Sequence, residues 1–184
     1  MSAPGTVVAG NRRACRQDGR GQPGVITAHL PAGYLTGRTM ARAGPVLWAA
    51  VAGGVAPDID LVWFYLIDSR AFHHHHYWVH VPAFWIMSAA VLLPLLHAFR
   101  PGWLRPASAF LAAVLVHLCL DGIAGGIKWL WPFSDRLSYL LQVPARHAHW
   151  VLNFVLHPVF LLEILIWAAA LWALFHPATY RKGN

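Results

Sequence analysis

The chain has 184 residues, of which 58% are hydrophobic and only 11% are charged, with 14 Lys and Arg against 7 Asp and Glu. This composition excludes a disordered chain and argues against an ordinary soluble enzyme, because so much apolar surface needs lipid to cover it. The net charge of +7 is scattered between apolar runs rather than gathered in a basic patch, so we expect no nucleic acid partner.

Residues 1–24, rich in Gly, Arg, Pro and Gln, predict a flexible basic tail. We expect one transmembrane helical domain over residues 25–178 and a short basic tail at 179–184. A crossing helix needs about 20 mostly apolar residues. Four runs approach or exceed that length: 45–67, 81–99, 107–127 and 151–175. The predicted fold is an all-α integral membrane protein, a bundle of about four to five transmembrane helices, with the lipid bilayer as its partner.

Proline and glycine interrupt these runs. Pro57 breaks the first run, and Pro158 divides the last into a helix near 147–157 and a spanning helix at 158–176. Gly122, Gly125 and Gly126 follow Asp121 and predict that the helix of the third run ends there, with the remainder of that run re-entrant as an alternative.

Residues 28–43 leave two arrangements open. If they lie on the membrane surface, the basic loop residues of the later runs share one face, which the positive-inside rule makes cytoplasmic. If they form a helix, it pairs antiparallel with residues 45–57 and brings His29 beside Asp58. The basic tail then moves to the side of the aspartates, and the charge bias no longer decides the orientation.

Residues that bind metals are concentrated at the ends of the apolar runs. Three aspartates lie within these runs, where each costs about 2.5–3.5 kcal/mol on insertion scales, and nearby basic residues are too few to pair them. His117 and Asp121 are four residues apart and therefore share one helix face. Histidine and aspartate together suit zinc, manganese or iron(II). The candidate ligands are His29, Asp58, Asp60, His75, His80, His117 and Asp121.

Seven candidate ligands exceed what one tetrahedral zinc uses. We therefore expect one or two divalent ions, with zinc as the first candidate and manganese or iron as alternatives. The alternative without metal is that these residues pair with one another and hold helices together.

The order of the motifs carries a resemblance to a known family. The matching residues, in chain order, are Ala28-His29, the PDID motif at 57–60, His75 and His80, His117 and Asp121, and Trp131-Pro132. Over residues 27–136 the chain resembles the small bacterial inner-membrane proteins described as metal-dependent hydrolases, the LexA-regulated YdjM type. The resemblance implies a multi-pass protein of the bacterial inner membrane. Leu61, His76 and Tyr77 depart from the family pattern, which has His, Arg and Gly at those places.

The first functional interpretation is an integral membrane metal-dependent hydrolase, in which metal-activated water attacks an unknown ester or phosphodiester. The depth of the site favours a lipid-like substrate. His76 or Asp60 would act as the catalytic general acid or base. The alternative is a metal-ion carrier or sensor that uses the same residues without hydrolysis. A carrier predicts ligands along a path through the bilayer, whereas hydrolysis predicts one compact cluster.

Two further polar features receive no role from the sequence. Glu163 lies alone in a 25-residue apolar run. His149, Asn153 and His157 follow each other at intervals of four residues and predict one polar stripe on a helix, which either lines a cleft or packs against the bundle.

Overall fold

A computed structural model describes residues 27–69, 74–141, 143–144 and 146–176. Within these residues, seven α-helices follow one another: α1 (His29–Met40), α2 (Pro45–Val55), α3 (Asp60–Leu66), α4 (Pro82–Phe99), α5 (Leu104–Ala124), α6 (Trp150–Val155) and α7 (Val159–Phe175). In the described part of the chain no strand forms, and the all-helical prediction is confirmed. The tails predicted at 1–24 and 179–184 lie outside the described residues.

Two helices are long and apolar enough to cross a membrane. One is α4, with 18 residues, and the other is α5 with the turn before it, Pro101–Ala124, with 24 residues. The pair α2 and α3 passes the same test jointly, although it bends by 51° at the break between them. The described helices therefore supply two to three candidate spans, and α7 is apolar but shorter, at 17 residues.

The breaks lie where the prolines predict them. Pro57 begins a short 3-10 turn, Pro57–Ile59, between α2 and α3, because proline has no N–H to donate and its ring clashes with a continuing helix. Pro158 likewise separates α6 from α7. The helix α5 ends at Ala124, between the glycines at 122 and 125 that predict its end, and the N–H of Gly125 donates to the carbonyl of Asp121 at 2.7 Å.

Residues 28–43 adopt the helical arrangement. The helix α1 lies antiparallel against α2, with Gly33 beside Ala50 and Gly54, and Gly37 beside Leu47. Small residues let helix backbones approach closely in apolar surroundings. A Cβ added at Gly54 would lie 2.6 Å from the carbonyl oxygen of His29. This close contact holds the first turn of α1 against the end of α2.

Side-chain contacts define the two ends of this bundle. Arg38, near the end of α1, donates to the carbonyl of Ala173 near the end of α7. Arg105, at the start of α5, donates to the carbonyl of Met40. The opposite end therefore holds the start of α1 and the ends of α2 and α5. The candidate site lies at that opposite end.

Candidate metal centre

The seven candidate ligands come from four segments that meet at one end of the bundle. His29 is the first residue of α1, and Asp58 and Asp60 follow the break at Pro57. Two short 3-10 turns, His74–His76 and Trp78–His80, precede α4. His117 and Asp121 lie one turn apart on α5. The structure brings all seven together at this end.

His117 is oriented by the end of α2. Its Nδ1 lies 2.8 Å from the carbonyl oxygen of Gly54. Because a carbonyl only accepts, Nδ1 carries the proton and the lone pair of the neutral ring is on Nε2. That Nε2 lies 3.1 Å from Oδ2 of Asp121. The backbone of α2 therefore selects the tautomer in which His117 can bind a metal beside Asp121.

His75 is oriented in the same way by the segment after α5. Its Nδ1 lies 2.8 Å from the carbonyl oxygen of Gly126 and 3.1 Å from that of Gly125. The Nε2 atom lies 3.6 Å from Oδ2 of Asp121, the same oxygen that His117 faces. Two histidines from different segments therefore direct Nε2 to one carboxylate oxygen.

His80 directs its Nε2 to the same place. That atom lies 3.5 Å from Oδ2 of Asp121 and 3.9 Å from Oδ1 of Asp58. On the other side of the ring, Nδ1 lies 2.8 Å from Oδ2 of Asp60. A carboxylate behind a metal-binding histidine fixes its orientation and raises its basicity. Asp60 faces the back of the His80 ring, whereas Asp58 and Asp121 face the shared point.

Ligand atoms of His80, His117 and Asp121 all lie within 4.8 Å of one another and could hold one divalent ion, and Nε2 of His75 approaches the same oxygen of Asp121. Two ligands about 2.1 Å from a tetrahedral zinc are about 3.4 Å apart. The three histidine Nε2 atoms lie 3.1, 3.5 and 3.6 Å from Oδ2 of Asp121. Within the described residues, Nε2 of His80, Nε2 of His117 and Oδ2 of Asp121 are buried without a hydrogen-bond partner. Buried polar atoms left in this state are costly, and a cation would satisfy all of them.

His29 lies between the two facing carboxylates. Its Nδ1 is 3.1 Å from Oδ2 of Asp58, and its Nε2 is 3.2 Å from Oδ1 of Asp121. Its ring stacks on that of His117, with centroids 3.7 Å apart. Burial acts to lower the pKa of His29, but the hydrogen bonds to both aspartates outweigh it and raise the pKa to about 9. Each aspartate thus directs one oxygen to His29 and the other to the remaining histidines.

The protonation states of His75 and His80 also suit metal binding. Burial lowers the pKa of His75, and it lowers the pKa of His80 to about 4, so both rings are neutral at neutral pH. Neutral imidazole is the form that binds metals.

Of the seven candidate ligands, Asp58 is the most exposed: its side chain is 27% exposed, against 5% or less for its partners in the cluster. A ligand from outside would reach the cluster past Asp58.

His74 and His76, the two histidines that flank His75, lie in different surroundings. The ring of His74 lies 4.2 Å from that of His75 and 5.3 Å from that of His80, and these three residues form a further group that could hold an ion. His76, the predicted proton-transfer residue, is exposed and belongs to none of the described ligand groups. The sequence could not distinguish His74 from His76 because both belong to one run of histidines.

The structure gives contacts for the two polar features that the sequence left unassigned. Glu163 accepts a hydrogen bond from the hydroxyl of Thr27 at 2.6 Å and lies 3.4 Å from its backbone nitrogen. The predicted histidine stripe does not form one helix face, because α6 has only six residues. Its members bond locally instead: His149 accepts from the N–H of Val151, and Asn153 bonds to the backbone of His147.

The fold and the cluster define an all-helical integral membrane protein with a buried group of histidines and aspartates that could hold a metal. Comparison with protein families supports this class. The chain belongs to the YdjM inner membrane protein family, whose model matches residues 24–182. No curated protein and no solved structure matches the chain.

Proposed function

We propose that the protein is a multi-pass metal-dependent hydrolase of the bacterial inner membrane. In the proposed topology the chain crosses the membrane four times, through the bent pair α2 and α3 and then through α4, α5 and α7. The shorter α1 packs against these helices. The convergence of three histidine Nε2 atoms on Oδ2 of Asp121, at 3.1 to 3.6 Å, carries the proposal.

The first ion would be held by His75, His80 and His117 together with two carboxylates. These are Asp121 and Asp58, the latter through its Oδ1 atom, which faces His80 and His117. Zinc fits this set of nitrogen and oxygen donors, and manganese or iron are the alternatives. When bound, such an ion lowers the pKa of water to about 7 and so makes hydroxide available at neutral pH. A second ion would use the oxygens of Asp58 and Asp121 that face His29.

The remaining residues have roles around that ion. Asp60 is a positioning residue, because it touches the back of the His80 ring. When no second ion is bound, His29 holds both carboxylates in place and can exchange a proton with either. His76 stays the predicted general acid or base, because it is the exposed histidine next to His75. The substrate class is a lipid-linked ester or phosphodiester, given that the cluster lies at one end of apolar helices.

The alternative function, a metal carrier or sensor, receives less support. A carrier needs ligands along a path through the bilayer. The seven candidate ligands instead lie at one end, and the opposite end is marked by Arg38 and Arg105. A compact cluster with a partly exposed carboxylate supports hydrolysis more directly.

The first test is the metal content of the full chain purified in detergent, beside His117→Ala and Asp121→Asn variants. We expect one to two equivalents of metal in the wild type and loss in both variants. His176→Ala is the matched control, since this exposed histidine lies at the far end of α7. A wild type that binds no zinc, manganese or iron after reconstitution would overturn the proposal. If metal binds, a screen of phospholipid and lipid-linked esters tests hydrolysis, and a metal-loaded protein with no turnover would favour the carrier or sensor.

A further inference from the structure

A groove of about 600 Å³ runs along α4 at the surface of the bundle. Its walls include Val81, Met87, Val91 and Leu95, and the helix between the first and the last spans about 21 Å at 1.5 Å per residue. Only 6% of α4 is buried inside the protein, so this face is turned towards lipid. The volume lies in the range of sites that hold one small amphiphile.

The groove has one polar end. His76 and Lys128 line it there, together with Trp78 and Trp131. Among the residues that line the groove there is no acid, and Lys128 gives this end a positive charge beside the imidazole of His76. Tryptophans at the end of a spanning helix are typical of the level of lipid headgroups.

Lys128 is held in a position to meet an anion. Its side chain is only 11% exposed, and its Nζ lies 3.6 Å from Oδ1 of Asp135, whose side chain is 84% exposed. Because Asp135 is largely exposed to solvent, its pairing with Lys128 is weakened, and a phosphate can compete with Asp135 for the ammonium group.

The polar end is continuous with the metal cluster along the chain. His76 follows His75, and Lys128 lies two residues after Gly126, whose carbonyl orients His75. An amphiphile in the groove would therefore have its headgroup at the end of the bundle where the cluster lies.

We propose that this groove binds one anionic phospholipid, with the phosphate at Lys128 and His76 and one acyl chain along α4. The inference names the substrate class of the metal site and in that respect rests on the proposed function. The binding itself needs no metal.

The test uses the full chain in detergent with a chelator present, so that failure of the metal site does not affect it. Binding of a chain-labelled phosphatidylglycerol is measured, with unlabelled phosphatidylglycerol, phosphatidylcholine of the same chains and glycerol phosphate as competitors. We expect phosphatidylglycerol to compete at least about fivefold better than phosphatidylcholine. Glycerol phosphate should compete poorly, because it lacks the chain. Equal competition by the two lipids, or full competition by glycerol phosphate, would overturn the proposal.

Two variants separate the headgroup from the chain. Lys128→Gln should weaken phosphatidylglycerol binding about fivefold and phosphatidylcholine binding by less, because choline offsets the charge of its phosphate, whereas Asp135→Asn should not weaken phosphatidylglycerol binding. Ser88→Phe fills the groove and should weaken both lipids, while Ala90→Phe, on another face of α4, should not. Helical content by circular dichroism checks that each variant folds. If Ser88→Phe does not fold, the phosphatidylglycerol affinity of Lys128→Gln alone tests the proposal. An unchanged affinity in folded Lys128→Gln, or equal losses in the two phenylalanine variants, would contradict the assignment.

Discussion

The hydroxyl of Thr27 donates a 2.6 Å hydrogen bond to Oε2 of Glu163, across 136 positions of the chain. Thr27 lies two residues before His29, and Glu163 lies in the first half of α7. The indole of Trp167 donates to the same hydroxyl at 3.1 Å. The helix α7 contributes no candidate ligand, yet through this contact it holds the segment that carries the first one.

The first prediction concerns this contact. Thr27→Val removes the hydroxyl at nearly constant volume and leaves a buried carboxylate without one donor, so the free energy of unfolding should fall by about 1–3 kcal/mol. Zinc affinity should also fall severalfold, because the start of α1 is loosened. Denaturant unfolding in detergent and zinc titration measure the two effects. The control is Thr39→Val, whose hydroxyl bonds only locally to Thr36 in the described structure. Equal unfolding free energies and equal zinc affinities in the two variants would show that the contact between Thr27 and Glu163 stabilises neither the fold nor the site.

The second prediction concerns Gly54, which lies between two candidate ligands. A Cβ there would meet the carbonyl oxygen of His29 at 2.6 Å, and the carbonyl of Gly54 orients His117. Gly54→Ala should therefore destabilise the fold by about 1–3 kcal/mol and weaken metal binding. Gly102→Ala is the control, because no atom lies within 4 Å of its added Cβ. Metal content and thermal stability of the two purified variants provide the measurement, and an unperturbed Gly54→Ala protein would contradict the packing described.

The third prediction separates a positioning residue from a ligand. Asp60 lies against Nδ1 of His80, so Asp60→Ala should weaken metal binding by about 10- to 100-fold rather than abolish it. Asp60→Asn should recover part of that loss, because its amide oxygen keeps the close contact with Nδ1 of His80. Zinc affinities measured by competition with a chelator test this order. A loss in Asp60→Asn as large as that in Asp121→Asn would instead make Asp60 a ligand.

The fourth prediction contrasts adjacent histidines. His75 is buried and directs Nε2 to Asp121, whereas His76 is exposed and outside the described ligand groups. His75→Ala should therefore lower metal affinity by more than about 100-fold, and His76→Ala should retain the wild-type metal content. Elemental analysis of both variants, prepared in parallel, distinguishes them. Retention of metal by His75→Ala would remove that residue from the site.

Part of this architecture was predictable from the sequence because its causes are local. Apolar runs of sufficient length predict helices, and Pro57 and Pro158 predict their breaks through a missing donor and a steric clash. The spacing of His117 and Asp121 places both on one face of a helix whatever surrounds it.

Other features depend on contacts between distant segments and leave no local pattern. The partners that orient His117 and His75 are carbonyls of Gly54 and Gly126, and every residue has a carbonyl. The choice between a surface segment and a packed helix for residues 28–43 follows from the fit of small residues on α1 and α2. Glu163 was visible as an isolated acid, but nothing near it in sequence indicates Thr27 as its partner.

The contacts between α1 and α7 also bear on the order in which the protein is made. Thr27 bonds to Glu163 near one end of α7, and Arg38 bonds to Ala173 near the other, so the two helices run in the same direction and are joined at both ends. The helix α7 is the last of the seven to leave the ribosome. The segment just before His29 therefore gains its support from α7 only after the C-terminal helix has been synthesised and inserted, and a nascent chain that stops before α7 carries an incompletely supported cluster.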